Sequence, residues 1–221
     1  MKRFAWRALV AAGIAGSTLG VGGCSSTRIA LNEQFGYTKR EQLVDRVKEA
    51  RDEQVEAKAQ FASALDEFKA MTGASGGELE TQYEKVNKSY DRSKAKADDV
   101  TSRITSVERV AGLLFAEWKE EIKQISSDDA KRASEAQRDK TMDEYEKLLG
   151  AMKNAESKMK PVLTALNDRR LLLKHSLNAA AIASLQGNLA QLQTDVDSLI
   201  REMETAIAEA NEFIEKAGMT K

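Results

Sequence analysis

Between Leu79 and Trp118, apolar or small side chains recur at alternating steps of three and four: Leu79, Tyr83, Val86, Tyr90, Ser93, Ala97, Val100, Ile104, Val107, Ala111, Leu114 and Trp118. Ser93 is the one polar member, and charged or amide residues fill the intervals. An unbroken seven-residue period keeps one narrow stripe facing a partner helix, so this stretch predicts a coiled-coil seam. After Trp118 the apolar positions move to Ile122 and Ile125, a four-residue insertion that unwinds the supercoil locally. From Val110 to Ala116 the pattern is apolar almost all round, which predicts burial on several sides.

Three more helices follow the same rule. The first, about 39–71, places Leu43, Val47, Ala50, Gln54, Ala57, Phe61, Ala64, Phe68 and Met71 on its seam. Its Ala50, Ala57 and Ala64 row predicts close backbone approach. Thr72 to Gly77 holds three glycines, which end a helix because each costs about 1 kcal/mol against Ala. The second helix is the seam above, extended over about 78–126. Ser127 or Asp128 then caps a third, about 129–175. Its seam reads Met142, Tyr145, Leu149, Met152, Ala155, Met159, Leu163, Leu166 and Leu173. Pro161 falls inside it, and because the rhythm resumes beyond, a kink is expected there rather than a boundary. The fourth, about 179–217, runs through Ile182, Leu185, Leu189, Leu192, Val196, Leu199, Met203, Ala206, Ala210 and Phe213, with Gly218 as its expected cap.

Short turns between long amphipathic helices make consecutive helices antiparallel. The pattern therefore predicts an all-α fold: an elongated antiparallel coiled-coil helical bundle of about four long helices over 39–218. Counting back from the turns sets positions 39, 111, 143 and 213 at one level. The 119–141 tip then projects past it by ~22 Å at 1.5 Å per residue. Phe115, Trp118, Ile122 and Ile125 form the candidate interaction patch at its base and along it, the alternative being that Phe115 and Trp118 belong to the core or stabilise the mouth of the bundle.

Composition agrees with long helices: 31% charged residues, 5% aromatics and one Pro in 221 residues. The formal net charge of −1 gives no global field toward nucleic acid, and no nucleic-acid partner is expected. One Cys rules out an intramolecular disulfide. It stands behind a basic stretch (Lys2, Arg3, Arg7) and a weakly apolar run from Ala8 to Leu19, the layout of a secretory signal over 1–23. That run is too short and Gly-rich for a spanning helix.

Val21-Gly22-Gly23-Cys24 resembles the processing site of bacterial lipoproteins. The resemblance implies lipidation of Cys24, a membrane partner through that lipid, and palmitate among its acyl chains. Ser25 in place of Asp implies the outer membrane rather than the inner, facing the periplasm. The alternative is a cleaved signal with an incidental Cys. Residues 24–38 read as a tether, at most ~45 Å long when extended. Further on, Glu33 to Arg40, Leu43 to Val47 and Ala50 to Asp52, with Leu177 to Ala179 and Ala181 to Gly187, resemble an uncharacterised helical lipoprotein family of Gram-negative bacteria. The resemblance spans the mature chain and implies no activity. Members are sometimes likened to DNA-repair ATPases, yet no Gly-rich loop ending in Gly-Lys-Ser/Thr occurs here.

Chemistry-bearing sets are sparse. His175 is the one His, near a helix end where a cation is mildly favoured. Asp98-Asp99, Glu120-Glu121 and Asp128-Asp129 read as solvated faces or a cap, and Arg169-Arg170 as cations whose stems cover apolar surface. No catalytic set, metal site or cofactor is expected, and the chain does not read as an enzyme. The expected role is structural or partner-binding in the cell envelope, with an envelope protein or a second copy of this chain as the protein partner. A helical carrier or enzyme for a small periplasmic molecule is the alternative, and it requires a concave pocket with convergent polar groups. Terminal Lys221 admits a third reading, attachment to peptidoglycan.

Overall fold

The computed structural model describes residues 38–219, and four helices fill nearly all of that span: α1 (Lys39–Gly73), α2 (Glu78–Gln124), α3 (Asp128–His175) and α4 (Ala179–Met219). Three of the four starts have a side-chain cap. Thr38 caps α1 reciprocally with Glu41, the Thr hydroxyl accepting from the Glu41 N–H at 3.2 Å and the Glu41 carboxylate accepting from the Thr38 N–H at 3.1 Å. The Ser127 hydroxyl accepts from the Ala130 N–H at the head of α3. The Asn178 side chain accepts from the Ala181 N–H at the head of α4. Between α1 and α2, Gly76 takes φ 57°, a left-handed turn conformation that costs a side-chain-bearing residue strain.

α1 and α3 each pack on both α2 and α4, so the four helices stand as a square with α1 and α3 across one diagonal. Sequential hairpins make this an antiparallel all-α bundle, with no strand among the described residues. One continuous apolar core runs along the axis. The α1 seam is buried from Leu43 to Met71, and Ala50, Ala57 and Ala64 are at most 1% exposed, as a close-packed row requires. In α2, Val86, Ser93, Ala97, Val100, Ile104, Val107, Ala111 and Leu114 are buried, while Leu79, Tyr83, Tyr90 and Trp118 flank them.

Ser89 and Ser93 enter this core because Gln60 of α1 reaches both hydroxyls, at 3.2 and 3.3 Å, and Ser93 donates back to the Ser89 carbonyl. Gln54, wholly buried, finds no partner for either amide atom.

Three local expectations are corrected. In α3 the core positions are Leu148 and Val162, with Leu149 and Leu163 only flanking. Tyr145, Leu148, Met152, Ala155, Met159, Val162 and Leu166 keep strict alternation of three and four, and a helix wedged between two neighbours selects that stripe. In α2 the 110–116 stretch is not buried all round: Gly112, Leu113 and Ala116 face outward, Leu113 at 37% exposure. Gly218 does not end α4, which runs on to Met219. The helix also continues through Pro161, which lies on its exposed face.

Candidate functional site

The level expected for positions 39, 111, 143 and 213 is where all four helices contribute to a concave site. Arg40, Leu43 and Val44 come from α1, Leu114 from α2, Lys140 and Glu144 from α3, and Phe213 and Lys216 from α4. They line an open cavity of about 250 Å³. Its floor is apolar: Leu43, Leu114 and Phe213 are 1%, 8% and 5% exposed.

Its rim is charged. Glu144 and Lys216 pair at 3.4 Å, and Lys216 also meets Glu212 at 2.8 Å, which with Glu144 holds its ammonium pKa above the usual range. The Arg40 guanidinium lies 5.1 Å from the centre of the Trp118 ring, over its face. Lys140 is exposed and carries no ion pair among the described residues.

Trp118 is held from a second side, because its indole N–H donates to the Ser134 hydroxyl at 3.0 Å. Lys39 pairs with Glu117 at 2.9 Å one residue earlier. Phe115 packs on Tyr145 with ring centroids 5.6 Å apart, and burial pushes the Tyr145 phenol up to about 12.

Of the four patch residues, Phe115 and Ile122 are therefore interior, at 9% and 3% exposure, while Trp118 and Ile125 are half-buried. What they present outward is limited to the edges of Trp118 and Ile125. The tip beyond them is also shorter than the ~22 Å expected. α2 stops at Gln124, and α1 and α4 reach the level of Gln137, leaving arms of about 9 and 14 Å at 1.5 Å per residue.

Other sequence candidates lie elsewhere and do not converge. His175 is exposed at the end of α3. Arg170 lies over the Tyr90 ring at 4.7 Å and donates to the Asn87 side chain at 2.7 Å, while Arg169 reaches across to the Asn188 carbonyl of α4. Asp98, Glu120 and Asp129 pair with Lys94, Lys123 and Arg132 on their own helices. The hydrogen bond from Lys123 draws the exposed Glu120 carboxyl below its usual range. No group of three metal-ligating side chains occurs among the described residues. Cys24 and Lys221 lie outside them.

Periodicity alone missed Arg40, Lys140, Glu144 and Lys216 as a set. They are spread over three helices, so only the register argument, applied to charged residues as well as apolar ones, could have grouped them. Leu171, Leu172 and Leu177, exposed at 38%, 41% and 36% near the α3/α4 turn, were missed as well.

The fold and its site define an all-α bundle with an open cavity at one end, apolar at its floor and charged at its rim. The model of a protein family of unknown function (DUF2959) matches residues 29–217, and the chain belongs to that family. No curated protein and no solved structure matches it.

Proposed function

We propose that the chain is a lipid-anchored, periplasm-facing bundle of the cell envelope with a structural or partner-binding role. The observation that carries this reading is the layout of the first 24 residues: Lys2, Arg3 and Arg7, the apolar run from Ala8 to Leu19, and small residues leading to Cys24. Several acyl chains on Cys24 would hold the protein to a bilayer far more firmly than one. No helix among the described residues is long and apolar enough to cross a membrane, so in this reading attachment rests on Cys24. Thr38, where the tether ends, lies beside the open mouth. In this reading the mouth and the 119–136 tip lie at the tethered end of the bundle, where an envelope partner or a second copy would meet them.

The test is acyl labelling with fractionation. The parent chain takes up radiolabelled palmitate and sediments with membranes. Cys24→Ala loses the label and is either released or left unprocessed. Label that persists in Cys24→Ala, or an unlabelled parent in the soluble fraction, overturns the reading.

A further inference from the structure

We propose that the cavity at the open end of the bundle binds the acyl chain of a single-chain anionic amphiphile, with the anionic headgroup held by Arg40 and Lys140. Three observations converge. The floor, made by Leu43, Leu114 and Phe213, is apolar, so a hydrocarbon chain resting on it leaves water.

The rim carries three cations and one carboxylate, and that carboxylate is committed. Glu144 pairs with Lys216 at 3.4 Å, and Lys216 is bound on its other side by Glu212 at 2.8 Å. Two of the cations form no ion pair among the described residues. Arg40 meets only the face of Trp118 among the described residues, and Lys140 has no acidic partner there. An unneutralised guanidinium and ammonium beside an apolar hole form the complement of a carboxylate or phosphate on a hydrocarbon tail.

The volume sets the size. About 250 Å³ is below the range of drug-sized pockets, so the site suits one narrow chain rather than a bulky ring system or a two-tailed lipid. A guanidinium held over the Trp118 ring is also pre-positioned, and less side-chain freedom is lost when the anion arrives. The proposal does not depend on what happens at Cys24.

Two sources present this chemistry: a free fatty acid, and a lysophospholipid with an anionic headgroup. The chain has two Trp, so the full chain with Trp6→Phe lets Trp118 report alone. Its emission is titrated with dodecanoate, with dodecanoyl lysophosphatidylglycerol and with neutral dodecanol, each below its micelle-forming concentration.

The expected result is a saturable change with one or both anions. Binding of dodecanoate alone points to free fatty acid, whereas binding of both anions points to a site that reads any anionic headgroup. Arg40→Gln with Lys140→Gln should weaken the anions by about tenfold or more, the loss of two charge-assisted contacts, and leave dodecanol unchanged. Ala217→Phe, which narrows the cavity from α4 without touching either cation, should abolish all three. The proposal is overturned if the anions give no saturable change. Equal affinity for dodecanol and dodecanoate, or an affinity indifferent to the two Gln changes, also overturns it. Helical circular dichroism and melting of each variant confirm that the bundle is intact when binding is read.

Discussion

At the residue scale, the core contrasts two kinds of seam position on one helix. Gln54 is wholly buried and both its amide atoms lack a partner, a situation that costs about 1–3 kcal/mol of desolvation. Ala57, one turn further on, is equally buried, but there the small side chain itself allows the helices to approach. Opposite outcomes are therefore expected from the same replacement. Gln54→Leu should raise the thermal midpoint by a few degrees, removing an unsatisfied amide at similar volume. Ala57→Leu should lower stability by about 1–3 kcal/mol through overpacking. Thermal unfolding followed by circular dichroism checks both, and equal melting temperatures would show that the alanine row is not close-packed. The polar character of Gln54 was plain in the sequence. That Gln60 rather than Gln54 reaches Ser89 and Ser93 was not, because the pairing is set by how far α1 slides along α2.

At the element scale, α3 shows how a partner chooses a stripe. Its sequence offers two adjacent rows, one through Leu149 and Leu163, the other through Leu148 and Val162, and both are apolar. The helix contacts α2 on one side and α4 on the other, and the line between them takes Leu148 and Val162 at 0% and 2% exposure. Val162→Ala is then expected to cost about 1–2 kcal/mol, more than Leu163→Ala, although leucine is the larger side chain lost. Urea denaturation midpoints decide the matter, and the reverse order would return the seam to Leu163. The interruption at Pro161 leaves this stripe intact, since Met159 and Val162 are both buried on either side of it.

At the scale of the whole molecule, the bundle is uneven along its length. Among the described residues, the body has four helices around one core, whereas beyond Trp118 and Gln137 only two arms continue. Ile122 is the single fully buried apolar side chain in that pair of arms, and a two-helix stub of this length is marginal in water. Amides over 125–133 should therefore exchange with deuterium well before those over 83–107, which lie inside the four-helix body. Matching protection in the two stretches would mean that something covers the tip. The Trp118–Ser134 hydrogen bond marks where fast exchange is expected to stop, because there the arms are fastened to each other and, through Arg40, to α1.

The sequence by itself determined the number of helices, nearly all their ends and the buried row of α1, α2 and α4. These follow from local causes: caps at Thr38 and Ser127, glycines at 73–77, and a period that a helix must obey wherever it packs. It also placed 39, 111, 143 and 213 at one level, because short turns leave consecutive helices little freedom to slide. Only the tertiary structure decided which of two apolar rows α3 presents, that α4 runs past Gly218, and that Ile122 belongs to the interior. It alone brought Arg40, Lys140 and the Glu144–Lys216 pair around one cavity. Those outcomes depend on the rotation of each helix about its axis against two neighbours at once, and no periodicity within a single helix carries that information.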